Sequence, residues 1–150
     1  MPKVATSLLI NDDGELLILK RSEKVRTYKG LWGGIAWYVE ENEEPYETAI
    51  KEIREEVGIK KEDITLIKTL DPIVFTDFYE GKKYDWKIFP FLFNIEKKEK
   101  INIDWEHLEY RWIPPSEIVK YDTVPHLKEV VSELLLWKVG WGSRGGGEER

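Results

Sequence analysis

Pro45 to Gly58, PYETAIKEIREEVG, constrains this chain more than any other stretch. Proline suits a first helical position, where its missing N–H has no partner to lose. Glycine directly after Val57 is a typical stop, because it enters the left-handed region without a side-chain clash. The spacing therefore predicts one helix from Pro45 to Val57. At ~100° per residue, Tyr46, Ala49, Ile50, Ile53 and Val57 share a stripe that should face a core. Glu52, Glu55 and Glu56 fall on a second stripe beside it, since residues three and four apart are helical neighbours. Carboxylates crowded in this way repel one another. Lys51 and Arg54 are close in sequence but point away from the middle of the acidic stripe. A solvated helix face is one reading of the stripe. A bound divalent cation is the sharper one: Mg²⁺, a hard ion, takes carboxylate oxygens together with substrate phosphates.

The chain has 150 residues, enough for one domain. Folding at that length buries roughly two-thirds of the unfolded surface. Hydrophobic residues make up 41% and charged residues 35%, a globular and not a disordered balance. Neither a long apolar span nor a basic-plus-apolar leader is visible, so a membrane partner and an export signal are not expected and a cytoplasmic location is. The net charge is −6 and the pI about 5.1. An acidic chain is poorly suited to a nucleic-acid backbone, but a cation can bridge it to a small phosphorylated ligand. The absence of cysteine excludes disulfides, thiolate metal sites and a cysteine nucleophile.

Along the chain, Val4 to Ile10 and Glu15 to Lys20 read as strands joined by an Asp13-Gly14 turn. The polar loop Arg21 to Gly30 carries Arg21, Arg26 and Lys29, cations able to meet phosphates. Leu31 to Val39 reads as a strand or tight loop. After the helix come a turn at Lys61 to Asp63 and strands Ile64 to Leu70, Ile73 to Tyr79 and Tyr84 to Ile95. Pro90 inside the last predicts an edge or a bulge, because proline donates nothing to a ladder. A loop, Asp104 to Glu109, leads into a strand from Tyr110 to Ile113. Pro115 opens a helical turn, and a last helix is expected from an N-cap at Thr123 to about Val139. The domain is set at residues 1–139, with the Gly-rich stretch 140–150 as a flexible tail. Among seven tryptophans, most of which should fill the core, Trp32, Trp37 and Trp86 are candidates for stacking on a ligand.

The run Lys51-Glu52-Ile53-Arg54-Glu55-Glu56-Val57-Gly58-Ile59 resembles the R-E-U-x-E-E-x-G-U half of the Nudix box, U being aliphatic. Glu43 stands where the full box, G-x5-E-x7-R-E-U-x-E-E-x-G-U, has its first glutamate. The approach through Gly30 to Gly34 and Tyr38 to Glu40 is similar too. Trp37 replaces the opening glycine, Asn42 stands where many members have a glycine, and Lys51 replaces the arginine. Lysine can still pair with Glu43, as a point charge and not a fork. Asn42 tolerates the left-handed region better than most residues.

The resemblance implies an α/β fold, the Nudix α/β/α sandwich with a mixed sheet between helices. It implies a hydrolase cleaving a pyrophosphate bond in a nucleoside diphosphate linked to another moiety, with Mg²⁺, or Mn²⁺, as cofactor. Glu55 and Glu56 would be the main ligands, Glu52 a ligand or proton acceptor, and Glu43 a loop support acting through Lys51. A later acidic residue, Glu106 ahead of Glu109, would join the metal site, and His107 could serve as a base instead. Substrate would meet Arg21, Arg26, Trp32 and Trp37. The partner is a small nucleotide, with neither nucleic acid nor membrane, and the family often forms homodimers. A second reading is a Nudix-fold sensing or scaffold module with weak catalysis.

Overall fold

The computed structural model describes residues 1–96 and 99–136. Eight strands form one mixed sheet. They are β1 (Lys3–Ile10), β2 (Leu16–Arg21), β3 (Trp32–Gly33), β4 (Ile35–Tyr38), β5 (Ile64–Thr69), β6 (Ile73–Tyr79), β7 (Lys82–Ile95) and β8 (His107–Ile113). The helix α1 (Pro45–Val57) and the short α2 (Leu127–Val131), continued by a π turn at Ser132–Leu136, lie on opposite faces.

The core follows from strand alternation. On β2, Leu17 and Leu19 face α1 and join Ala49, Ile53 and Val57, while Leu16 and Ile18 face α2 and join Val130 and Val131. The long β7 is the spine. It pairs in parallel with β1 along one edge and antiparallel with β5 and then β6 along the other. Here the expectation for Pro90 fails. β7 is central, and Pro90 sits where its outer neighbour changes, between Phe91, opposite Thr69, and Ile88, opposite Ile73. A missing N–H is tolerated at that junction.

The Asp13-Gly14 turn forms, with Asn11 Oδ1 accepting from the backbone N–H of Asp13 and of Glu15. Its strands part at once: β1 pairs β2 only at Ile10 and Leu16, and β4 takes the rest of that edge from Val4 to Ser7. The last helix starts later than the sequence indicates. Residues 122–124 run extended against Trp32, so Thr123 is no cap and His126 occupies that position at φ 71°. Val139 and the stretch 140–150 lie outside the described residues.

Candidate active site

α1 ends where its composition says it should. Gly58 closes it at φ 76°, donating to the Arg54 carbonyl. Glu43 is fixed just before its start. It accepts from Lys51 Nζ at 2.7 Å, Thr48 Oγ1 at 2.8 Å and its own loop's Glu40 N–H at 3.2 Å. These bonds tie the loop before α1 to its middle turns. Asn42 is not among the non-glycine residues with positive φ, so the left-handed argument for it does not apply. Trp37 lies in extended β4, opposite Ala5.

The acidic stripe divides. Glu52 and Glu56 are buried, whereas Glu55 is exposed. The third carboxylate comes from Glu106, in the loop before β8. Each of Glu52, Glu56 and Glu106 offers an oxygen within 4.8 Å of the others. The loop bearing Glu106 is stitched to the end of β2. Ser22 N–H donates to the Glu106 carbonyl at 2.8 Å, Ser22 Oγ to the Trp105 carbonyl at 2.9 Å, and the Glu106 N–H to Asp104 Oδ1 at 3.1 Å. A register shift at Lys20/Arg21, of the kind that re-aims side chains beside active sites, sets Arg21 opposite His107. Glu109 is exposed and faces Arg111 at 3.4 Å, away from the cluster.

Burial is the first cause of what happens to these acids. Glu56 is pushed well above the usual carboxylate range by desolvation, then by the charges of Glu106 and Glu52. Desolvation lifts Glu52 to about 7, with Glu55 adding to it. Glu106 also reaches about 7, through burial and then Asp104. Arg21 is the nearby cation; burial works against its charge, and Glu106 and Glu56 support it. Its Nε is held by the Thr27 carbonyl at 3.0 Å.

One arginine does not balance this many acids. A divalent cation fits the remainder. The donors are all carboxylate oxygens, and Glu56 Oε2 is buried without a hydrogen-bond donor among the described residues. An oxygen-only set suits a hard ion such as Mg²⁺ or Mn²⁺. His107 is buried beside this cluster, its Nε2 2.8 Å from Glu56 Oε1.

A cavity of about 170 Å³ opens from Arg21 and Glu106. Its walls include Tyr28, Trp37, Tyr38 and Trp86, and its polar groups include Asp77 and His126. The His126 ring stacks on Phe75 at 3.6 Å and lies 2.8 Å from Asp77. The structure thus brings Arg21 and Trp37 to one cavity. Arg26 is exposed and lines no part of it. Trp32 is a core residue, edge-on to Tyr121 with Arg111 above its ring at 5.0 Å. Tyr28, Asp77 and His126 escaped the sequence reading. They sit on unrelated segments, and only the left-handed Tyr28 and His126 mark them locally.

The NUDIX domain family matches residues 1–134. The nucleoside triphosphatase NudI of Escherichia coli O139:H28 is 27% identical over 121 residues, which span 76% of this chain and 83% of that protein. A MutT protein from Methanosarcina mazei Go1 is 25% identical, with a TM-score of 0.69 over 88% of this chain and 91% of that one. The E. coli dihydroneopterin triphosphate pyrophosphohydrolase superposes with a TM-score of 0.75 at 20% identity, over 89% of this chain and 94% of its own. The C. elegans Ap4A hydrolase does so at 0.72 and 19%, over 89% and 95%. These last two speak for the fold alone. With the match covering nearly the whole chain, and the mixed sheet between helices agreeing with it, the chain belongs to the Nudix family and is a Nudix pyrophosphohydrolase.

Proposed function

We propose that this enzyme hydrolyses a pyrophosphate bond in a small nucleotide, using a divalent cation, Mg²⁺ or Mn²⁺, held by Glu52, Glu56 and Glu106. The observation that carries the reading is the convergence of those buried carboxylates, one of which, Glu106, also lines the aromatic-walled cavity. When bound, the cation supplies charge neutralisation at phosphate oxygens and Lewis acidity toward water. The residues do the rest. Glu56 and Glu106 hold the site together. Arg21, fixed by Thr27, offers its guanidinium to a phosphate. Glu52, a buried carboxylate of the cluster, takes the proton as a water oxygen bonds to phosphorus and the bridging P–O bond breaks. The leaving phosphate carries the electron pair away.

The organic part of the substrate fits the cavity. A volume of about 170 Å³ between Trp37, Tyr38 and Trp86 accepts a flat ring. The Asp77 carboxylate and the Tyr28 hydroxyl, which is buried without a partner among the described residues, are polar groups the ring would meet. Glu43 and Lys51 act from outside the site, as a brace between the loop and α1.

The same reading includes a cytoplasmic, small-molecule enzyme and, as an expectation of the family, a homodimer. It is supported by the acidic net charge of −6, which disfavours a polyanionic partner. No helix among the described residues is long and apolar enough to cross a membrane. The test is phosphate or pyrophosphate release with Mg²⁺ across nucleoside triphosphates, nucleoside diphosphate sugars and dinucleoside polyphosphates. Turnover that EDTA abolishes supports the proposal. Tight nucleotide binding with no turnover on any of them supports the sensing module instead.

A further inference from the structure

His107 lies beside the carboxylate cluster but does not line the cavity. We infer that it is a positioning residue: its Nε2–H holds Glu56 Oε1, so that Glu56 Oε2 is left free to face a cation among Glu52, Glu56 and Glu106. The inference rests on the cation reading of that site.

The contact between His107 Nε2 and Glu56 Oε1 is 2.8 Å, with side-chain exposures of only 2% and 1%. It needs one hydrogen, from one side or the other. His107 Nδ1 and Glu56 Oε2 are both buried without hydrogen-bond partners among the described residues. Suppose first that Glu56 supplies the hydrogen. The neutral ring must then carry its own on Nδ1, where the N–H meets no acceptor. Suppose next that Glu56 is protonated on Oε2. That O–H has the Glu52 carboxylate to donate to, and the ring still donates from Nε2 to Oε1. A buried donor left unsatisfied is costly, which disfavours the first case.

With a cation bound in place of that proton, one arrangement remains. The ring carries its hydrogen on Nε2 and donates it to an ionised Glu56. Nδ1 then keeps a bare lone pair, and Oε2 is free for a cation. Ring orientation comes from the backbone, since His107 opens β8 with its N–H on the Asp104 carbonyl at 3.2 Å. The same accounting removes His107 as proton acceptor for an attacking water. Nε2 is engaged, and Nδ1 is sealed off from solvent.

The test is Mn²⁺ affinity without nucleotide, for the wild type, His107→Leu and His107→Gln, with thermal unfolding of each. Glutamine can present an N–H near the position of Nε2. Partners of metal ligands are worth about 10–100-fold in affinity, so H107L should weaken Mn²⁺ binding by that factor and H107Q by less than about threefold. Equal affinity in the wild type and a folded H107L overturns the inference, as does a folded H107Q that binds as weakly as H107L. A wild type that takes up no Mn²⁺ overturns the cation reading itself, and this inference with it. Should H107L not fold, ¹⁵N spectra of the wild-type imidazoles with Mg²⁺ decide the matter, and the chain's two histidines make assignment simple. A protonated Nε2 and bare Nδ1 on His107 support the inference; the opposite tautomer overturns it.

Discussion

Adjacent glutamates on one helix have opposite fates here. Glu56 points into the protein at 1% exposure, while Glu55 stays in solvent. Glu56→Gln removes a ligand from the centre of the cluster and should lower kcat/KM by more than about 100-fold, beyond what outer-shell changes cost. Glu55→Gln should cost far less, because Glu55 acts on the cluster through its charge on Glu52. Steady-state kinetics at saturating Mg²⁺ rank the two, and an equal loss would place Glu55 among the ligands. The pH dependence has a definite sign. Glu52 and Glu106 hold protons up to about 7 in the folded chain, against 4.5 ordinarily. Between those values the folded state binds protons that the unfolded chain has released, so stability falls as pH rises. His107, lowered to about 4 by burial, works the other way, but it is one group against Glu52, Glu56 and Glu106. In EDTA the Tm should therefore drop from about pH 5 to about pH 7.5, and apparent Mg²⁺ affinity should climb over the same span.

The elements that bear the site are positioned by their ends. α1 can deliver Glu52 and Glu56 only if it stops at Val57, and Gly58 stops it. A Cβ at Gly58 would lie 3.2 Å from Asn102 Cβ, on a backbone at φ 76°. Asn102 cannot easily withdraw, because its N–H is bonded to the Val57 carbonyl at 2.9 Å. Gly58→Ala should destabilise by about 1–2 kcal/mol in urea unfolding. α1 was fully legible because its signals are local: Pro45, Gly58 and a 3.6-residue repeat all lie within it. β6 was also read with its observed bounds, Ile73–Tyr79. The last helix was not, because Thr123 is a good cap only in a chain that turns there. Pairing with Trp32 keeps residues 122–124 extended, and a turn at Pro125 and His126 precedes the helix.

For the molecule as a whole, the cation should be part of the fold's stability. A ligand that binds only the folded state adds RT ln(1 + [L]/Kd), about 2.7 kcal/mol at a hundredfold excess over Kd. For a chain of this length that is a rise in Tm of roughly 5–10 °C. Mg²⁺ titrated into the wild type should show it, and E56Q should not respond. The acids of the cluster come from one helix and from a loop fifty residues later, so the gain couples α1 to the β2–β8 edge.

The sequence by itself determined α1, its acidic stripe, the Glu43–Lys51 pairing and the family, since each is written in spacing over a few turns. It also ranked Glu106 ahead of Glu109. Only the tertiary structure decided that Glu55 faces solvent, that Trp32 is core while Trp37 is cavity wall, and that Tyr28, Asp77 and His126 share one space. Those outcomes depend on which face of an element the rest of the chain covers, and the covering segments lie far away in sequence.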